Sequence, residues 1–152
     1  MAKGKKTLEV SFPGLGDLTR RLNALGGNIE EAAENALIKS KKKITNDLRK
    51  AMDKSHYDYD RTGNTKGSLD ENMAVNWDNG VATIDVGFDI ENGGLASVFL
   101  MYGTPHHAPN HPGIKRDSPV FTALFGKNAQ KSVWDIQRTE FQKILREAEL
   151  KK

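Results

Sequence analysis

The chain has 152 residues, of which 37% are hydrophobic and 28% charged, and its formal net charge is +3. This length predicts a single domain over residues 1–152, with a modest core and a flexible basic N-terminus at residues 1–6. The absence of cysteine excludes disulfides, thiolate metal ligands and a cysteine nucleophile. No stretch reaches the roughly 18 apolar residues of a membrane span, and no apolar signal core follows the basic N-terminus. We therefore expect synthesis in a cytoplasm and no membrane partner.

The first third of the chain predicts a strand followed by two helices. Apolar and polar residues alternate over residues 7–12, which is typical of a strand with one buried face. Leucines at helical spacing over residues 15–25 predict a short helix, and a Gly-Gly pair ends it. Asn28 then caps a long helix over residues 29–52, whose stripe of Ala and Ser would let a sheet approach closely.

A hairpin and an ambiguous apolar segment follow a long polar loop. Residues 55–68 contain two glycines and several turn formers and show no packing signal. Alternating runs from Leu69 to Phe88 flank Asp78-Asn79-Gly80, a strong hairpin signal. Residues 95–103 are apolar throughout, so this segment is either a buried strand or a short buried helix.

The C-terminal part predicts a second long loop and a helix. Residues 103–118 hold three of the five prolines, and Ser118 with Pro119 then forms a helix start, with Ser118 as the N-cap. An apolar stripe from Val133 to Ala148 predicts the C-terminal helix, with Trp134 as a core or subunit-interface residue, as is also expected of Trp77. The fold class is therefore α+β, a small, mainly antiparallel sheet with the long helix and the C-terminal helix packed on one side.

Three histidines in the second loop, His106, His107 and His111, raise the question of a metal site. The three prolines among them prevent a helix that would align the imidazoles, and no acidic residue lies between them. A HExxH motif with its general base is missing. A turn-rich loop with exposed histidines is the favoured interpretation, so we expect no metal and no cofactor.

Other motifs for catalysis or phosphate binding are also missing. The sequence has no G-x-S-x-G nucleophile elbow and no phosphate-binding loop that opens a helix. The Gly-rich stretch at residues 62–68 leads into a predicted strand, whereas a phosphate cradle needs a helix N-terminus behind it. Tyr57 and Tyr59 stand out instead as aromatic residues in a polar loop, a composition common at protein interfaces.

The order of these segments resembles a known family. A long Ala-rich helix precedes a TG…L signature at residues 61–69, a hairpin, a Tyr-Gly-Thr box at residues 102–104, and a helix with Pro119 and Phe121 at its start. Over residues 28–148 the chain resembles the tailed-phage head–tail joining and tail-completion family, the gene-product-ten-like, tail-terminator-like minor tail components. The resemblance implies a virion structural protein of the neck, without catalysis.

The same resemblance implies the partners. They would be other copies of the chain in a ring, with six copies matching a tail tube, together with the head connector or adaptor and the tail tube proteins. Packaged DNA passes through a neck, so non-specific contact with DNA is also expected. We expect the two long loops to contact these partners through Tyr57, Tyr59, Arg61, Thr62, Tyr102, Thr104, His106, His107, His111, Lys115 and Arg116. Two alternatives remain open from the residues: a small nuclease-like metal enzyme centred on the histidines, and a basic nucleic-acid-binding module.

Overall fold

The computed structural model describes residues 8–11, 20, 28–59, 64–105, 109–110 and 112–150. The described part contains helices and a small sheet, which confirms the α+β class. The predicted helix over residues 15–25 lies outside the described residues, apart from residue 20. In chain order the elements are β1 (Leu8–Ser11), α1 (Ile29–Asp53), α2 (Asn64–Gly67), β2 (Asn76–Asp78), β3 (Val81–Val86), a π-helical segment (Ile90–Gly94), α3 (Leu95–Tyr102), α4 (Ser118–Phe125) and α5 (Lys127–Leu150).

The sheet has three antiparallel strands in the order β1-β3-β2. The predicted Asn-Gly turn joins β2 to β3, and Asn79 and Gly80 both have positive φ (48° and 77°), as a tight hairpin turn requires. The first arm is much shorter than predicted, because only Asn76–Asp78 forms a strand. In the preceding residues the side chains of Asp70 and Asn72 each accept a backbone N–H two residues on, and these local bonds compete with strand pairing.

Helix α1 lies at the centre of the fold and packs against β3, α4 and α5. Its predicted start is confirmed, since the Asn28 side chain accepts a hydrogen bond from the Glu31 N–H (3.3 Å). The small and aliphatic residues of its inner stripe contact the inner face of β3, which lets helix and sheet approach closely. The main core residues are Ile29, Ala33, Leu37, Ile44, Leu48, Met52, Ala82, Ile84, Val86 and Phe88.

One lysine of α1 is buried inside this core. The Lys41 side chain is fully buried, and its Nζ donates to Asp70 Oδ2 (2.8 Å) and to the carbonyl of Asn72. A buried ammonium is stable only when its hydrogen bonds are made inside the protein. Lys41 therefore fixes the segment before β2 against the middle of α1.

The second half of the chain differs from the sequence predictions at two points. The apolar segment that the sequence left open is helix α3, and only one side of it is buried, because Leu95, Phe99 and Tyr102 are exposed. The N-cap of α4 is Asp117 rather than Ser118, since its side chain accepts from the Val120 N–H. The sequence prediction was wrong by one residue. Asp and Ser are equally good caps and are adjacent here, so the sequence alone did not distinguish them.

Helix α5 follows α4 after a break at residue 126 and packs along α1. Its buried positions are Ala129, Gln137, Glu140 and Ala148. Trp134 is 72% exposed, so the prediction that allowed it a place in the core is wrong, whereas its interface alternative stays a prediction. Trp77 is 38% exposed, and its indole N–H donates to Glu34 (2.8 Å). No helix in the described part of the chain is long and apolar enough to cross a membrane.

Candidate interaction surface

A buried carboxylate joins the two long loops of the chain. Asp117 is fully buried, and its Oδ2 accepts hydrogen bonds from the hydroxyls of Tyr59 (2.9 Å) and Ser55. Its Oδ1 accepts from the Val120 N–H (3.3 Å) at the start of α4, and its own N–H donates to the Leu100 carbonyl of α3 (2.8 Å). This arrangement, the Asp117 junction, links the end of α1, α3 and α4.

The junction also fixes the protonation state of Tyr59. Burial raises the pKa of the Tyr59 phenol far above its ordinary value, and the hydrogen bond to the Asp117 carboxylate raises it further. Both causes favour the neutral phenol, which can donate a hydrogen bond, over the phenolate, which cannot. Tyr59 is therefore a permanent donor to Asp117 at physiological pH.

Further contacts fix the described ends of the second loop. Tyr57 donates its hydroxyl to the Lys115 carbonyl (2.6 Å). Thr104 bonds Ile114 twice, since its N–H donates to the Ile114 carbonyl (2.9 Å) and its Oγ1 accepts the Ile114 N–H (2.9 Å). The two backbones approach so closely that a Cβ on Gly113 would lie 2.0 Å from the Thr104 carbonyl oxygen. Glycine is thus required where the loop folds back on itself.

These contacts change the interpretation of the first loop. The prediction that residues 55–68 form one long loop is wrong at its end, because residues 64–67 form α2, and Tyr59, Thr65 and Ser68 are buried although the sequence shows no packing signal. Tyr59, predicted to contact a partner, is only 4% exposed and contacts Asp117 instead. Its sequence neighbours gave no sign of this, because the carboxylate that buries it lies 58 residues away.

Helices α3 and α4 together present an exposed apolar surface. Leu95, Phe99 and Tyr102 lie four and three residues apart on one side of α3 and are 53%, 48% and 53% exposed. The Tyr102 ring contacts the half-buried rings of Phe121 and Phe125 on α4, with centroids 5.6 and 6.2 Å apart. Neither helix contains a charged residue. We call these five residues the α3–α4 surface.

Basic residues border this surface. The Arg116 guanidinium lies over the Phe121 ring, 4.7 Å from its centroid, and Lys115 beside it is exposed. A cation stacked on an aromatic ring keeps its charge available to a partner while its planar face is packed. An apolar centre with a cationic rim is a combination typical of protein interfaces, where aromatic residues and Arg are enriched.

The remaining predicted site residues divide into two groups. Tyr57, Tyr102, Thr104, Lys115 and Arg116 lie within or beside the arrangement just described. Arg61, Thr62, His106, His107 and His111 lie outside the described residues. Among the residues that the structure does describe, no group of three or more His, Asp or Glu side chains could hold a metal ion.

A polar pocket of about 270 Å³ lies beside the Asp117 junction. Its lining is formed by the end of α1, the first loop and α2: Met52, Asp53, Ser55, Tyr57, Asp58, Tyr59 and Lys66. Its charged and hydroxyl groups bond one another, since Lys66 pairs with Asp53 (3.1 Å) and Ser55 donates to Asp117 while accepting the Tyr57 N–H (3.0 Å). These bonds hold the loop against α1.

Two features of the site escaped the sequence analysis. Asp117 was overlooked as a cap because Ser118 stood next to Pro119, although an Asp three residues before Val120 carries the same signal. The exposed side of α3 was overlooked because every residue of this helix except Ser97 is apolar or aromatic, so the sequence does not distinguish its two sides.

Comparisons with protein-family models, with curated proteins and with solved structures find no match for this chain.

Proposed function

We propose that the protein is a structural component of a tailed-phage neck, where copies of it form a ring between the head connector and the tail tube. The assignment to a phage particle is supported by the order of motifs over residues 28–148. The assembly role is supported by one structural observation, the α3–α4 surface. A contiguous apolar surface bordered by charge is characteristic of a site for protein contacts.

The arrangement of polar groups also favours a structural role over a catalytic one. The Asp117 carboxylate accepts three hydrogen bonds, two from the hydroxyls of Ser55 and Tyr59 and one from the backbone of α4. A general base needs a free lone pair directed at a substrate proton. Asp117, the most deeply buried carboxylate near the pocket, therefore uses its hydrogen bonds to hold the loops and helices together.

The test uses the genome that encodes the chain. A nonsense mutation in its gene, grown without a suppressor, should give filled heads and separate tails in electron micrographs, and supplied wild-type protein should restore joined particles. Supplied Phe99→Glu protein, which places a charge in the α3–α4 surface, should fail to restore joining. Lys42→Glu, at an exposed position of α1, is the matched control and should restore it.

Two results would overturn the proposal. Joined, infectious particles made without the chain would exclude a neck role. Full restoration by Phe99→Glu would show that the α3–α4 surface has no part in assembly.

A further inference from the structure

Opposite charges collect near the two ends of α1. Its 25 residues span about 37 Å. Glu30 and Glu34 lie in its first turns, one helical turn apart. At the far end, Ser55 bonds Asp117, and Lys115 and Arg116 directly precede this aspartate. About 30 Å of helix therefore separates an acidic region from a basic one.

The acidic region also presents an exposed aromatic side chain. Trp77 on β2 is 38% exposed, and its indole donates to Glu34 (2.8 Å), which places the ring directly beside the carboxylate. Asp78 follows Trp77 and is exposed at the hairpin turn. We call Glu30, Glu34, Trp77 and Asp78 the Trp77 surface.

We propose that the α3–α4 surface of one copy docks on the Trp77 surface of a second copy. The inference rests on the self-assembly in the proposed function and identifies the two surfaces that meet. The aromatic residues form the centre of the contact, and Lys115 and Arg116 face Glu30 and Glu34 of the neighbour at its rim. Exposed Trp and Tyr with a nearby Arg are the side chains that most often dominate binding energy.

Charge complementarity selects this pairing over a symmetric one. Two α3–α4 surfaces packed on each other would bring together two cationic rims, and like charges across an interface weaken association. Docking the α3–α4 surface of one copy on the Trp77 surface of a neighbour instead places opposite charges in contact. Such a heterologous contact leaves a free surface of each kind on every pair, so assembly continues until a ring closes.

The test uses two charge-reversal variants of the full chain, followed by sedimentation equilibrium. The first is Lys115→Glu/Arg116→Glu, and the second is Glu30→Lys/Glu34→Lys. Each should self-associate about tenfold more weakly than wild type, or weaker still. The matched control, Lys42→Glu/Lys50→Glu, changes charge at exposed positions of α1 between the two surfaces and should associate as wild type does.

Mixing the two variants is the decisive step. In an equimolar mixture every contact between unlike chains pairs opposite charges, whereas every contact between like chains pairs equal charges. Association should return to within a few-fold of wild type, with the two chains alternating. Failure of the mixture to associate, when both variants retain the wild-type circular dichroism spectrum, would overturn the inference.

Crosslinking supplies a second measurement that does not depend on charge reversal. The chain has no cysteine, so single replacements Ala96→Cys and Asp78→Cys place one exposed thiol at each surface and keep Phe99 and Trp77 in place. A short bismaleimide should join a 96-labelled chain to a 78-labelled chain and give few 96-to-96 products. Predominant 96-to-96 products would show a symmetric contact and overturn the inference.

The two proposals fail in different ways. A chain that stays monomeric at every concentration, without 96-to-78 products, overturns the docking inference, and the particle-joining test of the neck role is unaffected. Particles that join without the chain overturn the neck role, and the crosslink map still decides whether the two surfaces meet.

Discussion

Replacing Tyr59 by Phe tests whether the Asp117 junction stabilises the fold. The change removes one hydroxyl donor from a fully buried carboxylate and leaves the aromatic ring in place. Hydrogen bonds to charged groups contribute about 1.5–3 kcal/mol, and Asp117 keeps its bonds from Ser55 and Val120. We therefore expect the free energy of unfolding to fall by about 2 kcal/mol.

Urea unfolding at neutral pH measures this loss, and Tyr57→Phe is the matched control. Tyr57 also donates its hydroxyl, to the Lys115 carbonyl, but this tyrosine is only half-buried, so water can replace the bond. Its loss should be below about 0.5 kcal/mol. A double-mutant cycle with Asp117→Asn should give a coupling of about 1 kcal/mol or more with Tyr59→Phe. Equal losses for the two tyrosines, or additive effects in the cycle, would refute the reasoning.

The raised pKa of Tyr59 adds a dependence on pH with a definite sign. A tyrosine in the unfolded chain loses its proton near pH 10, whereas the buried Tyr59 keeps its proton to a higher pH. Above about pH 10 the folded state therefore holds the extra proton, and the stability from Tyr59 falls by about 1.4 kcal/mol per pH unit. Below pH 10 this contribution is constant. The difference between wild type and Tyr59→Phe should shrink between pH 10 and 11, and a constant difference would contradict the assignment.

Three further changes test the fold by urea unfolding. Lys41→Met should cost about 3 kcal/mol or more because it removes the buried ammonium that bonds Asp70 and the Asn72 carbonyl, and a loss below about 1 kcal/mol would show that the pair is unimportant. Gly103→Ala should cost about 1–3 kcal/mol, since φ is +75° and the new Cβ would lie 2.6 Å from the Ile114 carbonyl oxygen, so an unchanged stability would contradict this backbone geometry. Glu140→Gln should cost about 0.5 kcal/mol at neutral pH. The hydrogen bond from Lys39 lowers the pKa of Glu140, so this contribution exists above the unfolded pKa and disappears as pH falls through the folded one. A Glu140→Gln loss that stays constant as the pH falls through the acidic range would therefore point to packing rather than charge.

Elements with a local signal could be predicted from the sequence. Helix α1 was predicted to within one residue because Asn28 caps it and its apolar stripe continues without interruption. The β2–β3 turn was predicted because Asn79 and Gly80 tolerate the positive φ that it requires. In both cases the information lies within a few residues of the structure that it determines.

Features that depend on distant residues could not be predicted. No residue near Tyr59 in the sequence indicates that it is buried. Its partner, Asp117, comes 58 residues later in the chain, after the hairpin and α3. Alternation predicted a long first arm for the hairpin, but side-chain bonds by Asp70 and Asn72 interrupt the pairing, which resumes only at the bridge between Leu69 and Phe88. The sequence of α3 shows that the segment is apolar, but it does not show which side of the helix is buried. That side is determined by the packing of α3 against α4.

The Asp117 junction also determines how the α3–α4 surface can bind. The sequence of the first loop shows no packing signal. In the structure, Tyr57 and Tyr59 already tie this loop to the backbone that carries Lys115 and to the start of α4. Ordering a loop during binding costs about 0.5–1.5 kcal/mol for each immobilised side chain, whereas a surface fixed beforehand avoids this cost. If the surface docks as proposed, Tyr59→Phe should weaken self-association without altering any residue that touches the neighbour. Such an effect would show that the buried carboxylate supports binding by holding Arg116 and the aromatic rings in position.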